Sequence, residues 1–246
     1  MGRLIILSGP SCVGKGPLAA GLERMCPEVA GRMGRAVLYN SRRPRPGEQD
    51  GVAYHFRRAQ EIEAMEGREG FVVFRVRNDI QAVDMGELAG QVRERDVLAD
   101  LNPFLAQEVL SHRACEGLER LEVFLSPLCR EEVLFLRERG VDVRGFVTEL
   151  MRRKQVRRAS QWKANLSEQD KQDLELRAGS AYDEMLEAWR FDWVLANHDG
   201  EDSENWTMEW PVGDAWATVR AFAELLETGA TACGERWEAG VMGEEG

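Results

Sequence analysis

Long apolar runs are missing from this chain. No stretch of its 246 residues approaches the length needed to cross a bilayer. The N-terminus passes at once into an apolar segment of strand length, so neither a membrane anchor nor a signal peptide is expected. Histidine is scarce: His55, His112 and His198 stand far apart. The five cysteines, Cys12, Cys26, Cys115, Cys129 and Cys233, show no CxxC spacing. These absences leave neither a zinc site nor a disulfide framework, and scattered thiols suit a reducing cytoplasm. An excess of positive charge is absent too. The net charge of −11 argues against general binding to nucleic acid or to a membrane surface. There is no internal repeat and no low-complexity tract.

What is present points elsewhere. A hydrophobic content of 43% supports a full core, enough for one large α/β domain with or without appendages. Arginines crowd residues 32–58, 75–77 and 137–158, while the C-terminal stretch is acidic. Local basic patches in an acidic protein suit a small anionic ligand better than a polyanion. Residues 4–8, 71–76, 96–99, 121–125 and 191–196 read as strands, with short extended pieces at 36–39 and 53–56. Residues 17–25, 59–66, 87–95, 103–111, 131–139, 146–161, 170–189 and 214–227 read as helices. Strands alternating with helices predict a mostly parallel sheet covered by helices on both faces.

Directly after the apolar run Leu4-Ile5-Ile6-Leu7 stand Gly9, Pro10, Ser11, Cys12, Val13, Gly14, Lys15 and Gly16. A buried strand that runs into a glycine-bearing loop with a lysine at its end, and then into a helix, is a polyphosphate cradle. Backbone N–H groups turn inward, the lysine reaches the terminal phosphates, and the helix N-terminus adds its positive end. The general pattern has Ser or Thr after the lysine; here Gly16 and Pro17 follow.

Downstream, Asn40-Ser41-Arg42-Arg43-Pro44-Arg45-Pro46-Gly47-Glu48 is followed by Asp50-Gly51-Val52-Ala53-Tyr54-His55-Phe56. Together with the loop, this resembles the guanylate kinase family, and the similarity extends over residues 3–228. The resemblance implies a P-loop α/β kinase fold with an acceptor-binding insert at about 34–95, a lid at about 144–171 and an acidic tail at 229–246. It implies a cytoplasmic phosphotransferase that uses ATP and Mg2+ and acts on a small phosphorylated acceptor, with the oligomeric state left open. Residues 9–16 would bind ATP. Arg42, Arg45 and Tyr54 would clamp the acceptor phosphate, because guanidinium forks match phosphate oxygens, and Glu48 would buttress the arginines. Lys15, Arg139 and a cation of the 152–158 run, Arg152 foremost, would be catalytic. No protein metal site is implied.

The chain departs from the family at the base-reading positions, which fall on Leu38, Val73, residues 81–83 and Ala99 or its neighbour Asp100. Two lid arginines fall on Phe135 and Leu150, and Pro17 removes a hydroxyl and an N–H donor. Such departures leave two readings open. One is a kinase for GMP or a related nucleotide or sugar phosphate. The other is a non-catalytic binding module of the same fold. The acidic segment Asp199–Trp206 is expected to be a solvated loop, and Trp237 is placed in a disordered tail.

Overall fold

The computed structural model describes residues 2–45, 47–163 and 165–243. Pro46 of the basic motif, Ala164 of the 144–171 segment and the last three residues of the acidic tail lie outside them, as does the side chain of Trp162.

In chain order the strands are β1 (Arg3–Ser8), β2 (Met33–Arg35), β3 (Tyr39–Asn40), β4 (His55–Phe56), β5 (Phe71–Val76), β6 (Asp79–Asp84), β7 (Asp96–Asp100), β8 (Glu119–Ser126) and β9 (Trp193–Ala196). The helices are α1 (Lys15–Met25), α2 (Pro27–Ala30), α3 (Ala59–Glu63), α4 (Met85–Glu94), α5 (Pro103–Ser111), α6 (Arg130–Glu138), α7 (Val143–Trp162), α8 (Glu168–Gly179), α9 (Ala181–Leu186) and α10 (Gly213–Thr228). A five-stranded sheet has the order β2-β7-β1-β8-β9, and β2–β7 and β8–β9 pair in parallel. The expected α/β class with a mostly parallel sheet is therefore the observed one.

Two compact units divide the chain. The first is Met1–Ile6 with Arg32–Leu121, the second Leu7–Gly31 with Glu122–Gly246. The first unit carries a small second sheet, β4-β3-β6-β5, in which β3 pairs antiparallel with β6 and β6 with β5. Strand β6 and the short β2 go beyond the sequence expectation. Strand β6 was hidden by its polar ends, Asp79 and Asp84, although its Ile80, Ala82 and Val83 are buried. Arg77 turns the β5–β6 hairpin with φ +58. Ile62, Ile80 and Ala82 form a local core onto which Tyr39, Met65 and Val73 pack.

The second unit is built on the ends of β1, β8 and β9, with α1 and α10 in contact. The helix expected over 170–189 is broken at Ser180. There the hydroxyl donates to the Arg177 carbonyl at 3.2 Å, a side-chain bond that competes with helical continuation right after Gly179. The C-terminal segment also corrects the sequence reading. Trp237, Val241 and Met242 are buried, Glu235 pairs with Val194 of β9 through two 2.8 Å backbone bonds, and Tyr182 donates to the Met242 carbonyl.

Candidate active site

Strand β1 is almost wholly buried, and its end delivers the chain to Gly9. Gly9 has φ +134, and a Cβ there would stand 2.3 Å from the Leu125 carbonyl oxygen. Gly14 has φ +112, and a Cβ there would meet the Asn197 amide at 2.5 Å. Only glycine tolerates both the backbone angle and the closeness at these two places. Cys12 also takes a left-handed conformation, φ +73. Val13 N–H closes a turn onto the Pro10 carbonyl at 3.3 Å, and α1 opens with Leu18 N–H donating to Gly14.

Lys15 is the first residue of α1, and its Nζ donates to the carbonyls of Gly9 (2.8 Å) and Pro10 (3.2 Å). The ammonium thus lies across the mouth of its own loop. Gly16 faces open space, with nothing within 4 Å of a built Cβ. Pro17 is the third helical residue, where an N–H has no intrahelical acceptor, so α1 loses no bond to it. Burial pushes the Cys12 thiol up to about 12, with Glu201 adding to the shift. Cys12 is therefore a neutral group of the loop and not a thiolate.

The loop's carbonyls are held from behind, which the sequence did not disclose. The Asn197 side-chain amide donates to Val13 at 2.7 Å and to Asp199 at 2.8 Å. Glu201 N–H donates to Cys12 at 3.1 Å. Buried Trp206 donates its indole N–H to the carbonyls of Asp199 and Gly200. The Asp199 carboxylate gathers Ser203, Asn205 and the Ala215 N–H, and these bonds hold its carboxyl below the usual range against the cost of burial. The 199–206 segment is thus a packed support and not the solvated loop expected, because Asp199, Glu201 and Asp202 each have an internal donor or cation, and only Glu204 among its acids is exposed. Arg158 pairs with Glu201 at 2.7 Å and Arg157 with Asp202 at 3.2 Å.

The first unit holds the other motif. Arg42 meets Glu48 in a two-pronged fork, Nη1–Oε2 and Nη2–Oε1 both 2.6 Å. Glu48 also accepts the Arg45 N–H at 2.8 Å. Burial opposes the charge on both partners, but the fork outweighs it: the Glu48 carboxyl lies below its usual range and the Arg42 guanidinium above. That guanidinium lies 4.9 Å from the centroid of the Tyr54 ring and 5.3 Å from that of Phe56. Burial pushes the Tyr54 hydroxyl up to about 12, helped by Asp100 and opposed by Arg42 and Arg45. The phenol is therefore a proton donor at neutral pH. Asn40 accepts the Arg42 N–H, Ser41 accepts the Ile80 N–H, and Asp50 accepts the Phe56 N–H. These three polar residues shape the 40–56 segment.

Arg42, Arg45, Glu48 and Tyr54 thus come together, and the structure brings Asp100 rather than buried Ala99 towards them. Leu38, Val83 and Ala99 are buried, and Val73 packs on the Ile62 cluster, so these positions offer side-chain hydrocarbon only. Arg75 pairs with Glu63 at 2.7 Å. In the second unit, Arg139 stacks over Phe135, 5.1 Å from the ring centroid, at the end of α6. Arg152 is engaged by two carboxylates, Glu149 at 2.5 Å and Glu175 of α8 at 2.8 Å. Lys154, Arg157 and Arg158 of α7 reach the residues behind the loop: Lys154 donates to the His198 carbonyl, and the two arginines pair with Asp202 and Glu201. The basic stretch is anchored by buried Val147 and Met151 on α7.

A strand, a glycine loop and a helix headed by lysine make this a protein of the P-loop α/β class. No family model matches the chain. It is 33% identical over 178 residues to guanylate kinase of Bifidobacterium longum, covering 70% of this chain and 84% of that protein. A Synechococcus guanylate kinase is 36% identical over 155 residues, 57% of this chain and 63% of that protein. A Desulfitobacterium hafniense guanylate kinase is 47% identical over 64 residues, 30% of its length. The chain therefore spans less than two thirds of these last two relatives. A solved guanylate kinase of Anaplasma phagocytophilum shares the fold, with TM-score 0.55 and 16% identity over 94% of this chain and 88% of that one. The chain belongs to the guanylate kinase family.

Proposed function

We propose that the protein is an ATP-dependent phosphotransferase that moves the γ-phosphoryl group of ATP to a phosphate-bearing acceptor, GMP or a related nucleotide or sugar phosphate. The observation that carries this reading is the coexistence of Lys15 at the head of α1, on a loop whose glycine angles form a cradle, with the Arg42–Glu48 fork beside Tyr54. Lys15 and the loop amides of residues 9–16 would hold the β- and γ-phosphates of ATP. Arg42, Arg45 and the protonated Tyr54 would hold the acceptor phosphate, with Glu48 fixing the fork. Such transfer asks little covalent chemistry of the protein; positioning and charge neutralisation supply the rate.

Among the described residues no group of three or more His, Cys, Asp or Glu side chains suits a metal ion, and Gly16 offers no hydroxyl. Mg2+ would therefore arrive on the nucleotide, held by phosphates and water, where it neutralises phosphate charge. Arg139, just past the end of α6, would neutralise charge in the transition state. Arg152 would serve only after leaving Glu149 and Glu175, as part of closure of the 144–171 segment. The packing at Leu38, Val73 and Val83 supports weak discrimination between bases, since a site without polar partners cannot reject a wrong base edge.

A coupled ADP-release assay with Mg-ATP across GMP, AMP and sugar phosphates tests the reading. Acceptor-dependent ADP release is expected. Silence across the panel, with ATP still bound, would favour the second reading, a binding module. Pro17 and the hydroxyl-free Gly16 support that alternative, because each removes a donor to phosphate oxygen.

A further inference from the structure

His198 sits where three helices meet the back of the phosphate loop. Its backbone N–H donates to Asp214 Oδ2 at 3.1 Å, and its ring Nδ1 lies against the same oxygen. Its Nε2 lies 2.8 Å from Glu132 Oε2. Its carbonyl accepts the Lys154 ammonium. The ring is thus bracketed by a carboxylate from the first turn of α10 and one from the first turn of α6, and both helix ends favour the anions. Glu132 is held further by the Cys129 N–H at 2.8 Å.

Only an imidazolium donates from both ring nitrogens; the neutral ring turns a lone pair toward one of the two carboxylates. The charged groups facing His198 are Glu132 from α6, Asp214 from α10 and, at its carbonyl, Lys154 from α7. Burial disfavours the imidazolium, but the two carboxylates outweigh it, so the ring stays protonated above the usual histidine range. His198 is flanked in sequence by Asn197, whose amide holds Val13, and by Asp199, which precedes the Glu201 N–H on Cys12. Movement of His198 is therefore movement of the groups that hold the loop's carbonyls.

We propose that His198 is a positioning residue for the phosphate loop: charged, it locks residues 197–201 onto the loop and keeps the cradle formed, and loss of its proton slackens the cradle and weakens nucleotide binding. This rests on the donor role proposed above for residues 9–16. The sign follows from the geometry. The locking interaction is fully present just below the usual histidine value of about 6.5 and is lost as pH rises through the value for the folded protein, which lies above it.

Two measurements on the full chain decide it. The first is calorimetric Kd for Mg-ATP over roughly pH 6 to 9, the range that brackets histidine titration, for the native chain, His198→Gln and Glu132→Gln. The native Kd should weaken by about fivefold or more towards alkaline pH. His198→Gln should be flat at the weak level, and Glu132→Gln should weaken at lower pH than the native chain. The second is hydrogen exchange of the amides of residues 12–16 without ligand, relative to intrinsic rates, over the same range. Protection should fall with pH in the native chain and stay low in His198→Gln. A native Kd independent of pH, or one that varies in parallel in His198→Gln, overturns the proposal. If no ATP binds at any pH the donor reading fails, and pH-independent protection of 12–16 then overturns the positioning role as well.

Discussion

Arg42 and Glu48 face each other so that each guanidinium nitrogen of the fork meets its own carboxylate oxygen at 2.6 Å. The same carboxylate takes the Arg45 N–H, so one acid sets both arginines of the motif. Removing it would leave the Arg42 guanidinium and the Arg45 N–H without their shared acceptor.

For that reason Arg42→Ala or Arg45→Ala should raise acceptor KM and lower kcat together, by about tenfold or more, since the phosphate must be held in line for attack. Steady-state kinetics on the best acceptor of the panel checks this. Glu48→Gln should cost about 1.5–3 kcal/mol of stability at neutral pH, the range for a bond to a charged group. The Glu48 carboxyl lies below its usual range in the folded chain. Its contribution is therefore present above the unfolded value of about 4.3 and is lost as pH falls through the lowered folded value. Urea unfolding of the two proteins should converge towards acid; a constant difference would contradict the assignment.

Lys15 lies on the Gly9 and Pro10 carbonyls and is the cation of the loop mouth. Lys15→Ala should abolish measurable ATP binding. Pro17→Thr should tighten it by at least about tenfold, since each restored donor to a charged oxygen is worth about 1.5–3 kcal/mol. Native Mg-ATP binding that survives Lys15→Ala unchanged would remove the loop from the donor site.

The thiols should separate by reactivity. Cys12 is buried and its thiol is pushed up to about 12, whereas Cys233 is exposed. Alkylation by iodoacetamide at neutral pH should mark Cys233 first and leave Cys12 unlabelled until the chain unfolds. Peptide mass spectrometry resolves the order, and early labelling of Cys12 would show that the loop opens readily.

Trp237 and Trp210 offer a paired test of the C-terminal packing. Trp237 is buried and donates to Glu235 at 2.7 Å, while Trp210 is 56% exposed against Trp216. Trp237→Ala should lower unfolding free energy by about 3–5 kcal/mol, and Trp210→Ala by less than about 1.5 kcal/mol. Equal small effects in chemical denaturation would mean that the segment after α10 adds nothing to the fold.

The loop of residues 9–16 and the 40–56 motif were legible in the sequence because their chemistry is local. Two glycine angles, a buried strand and a lysine specify the first, and Arg42 finds Glu48 only six positions away. The α/β class followed from alternation of apolar strands and helical patterns. Other parts were invisible for the opposite reason. Val13 is held by Asn197 across 184 positions, and His198 reaches Glu132 across 66. An acidic run such as 199–206 reads as solvated until folding supplies Arg157, Arg158 and helix amides as its partners. Similarly, the composition of the segment after α10 is that of an acidic tail, whereas Glu235 is held by pairing with Val194 and Arg130. Whether Ala99 or Asp100 turns toward Tyr54 was a question of strand register. Alternation inverts with a shift of one residue, and only the tertiary packing of β7 decided it.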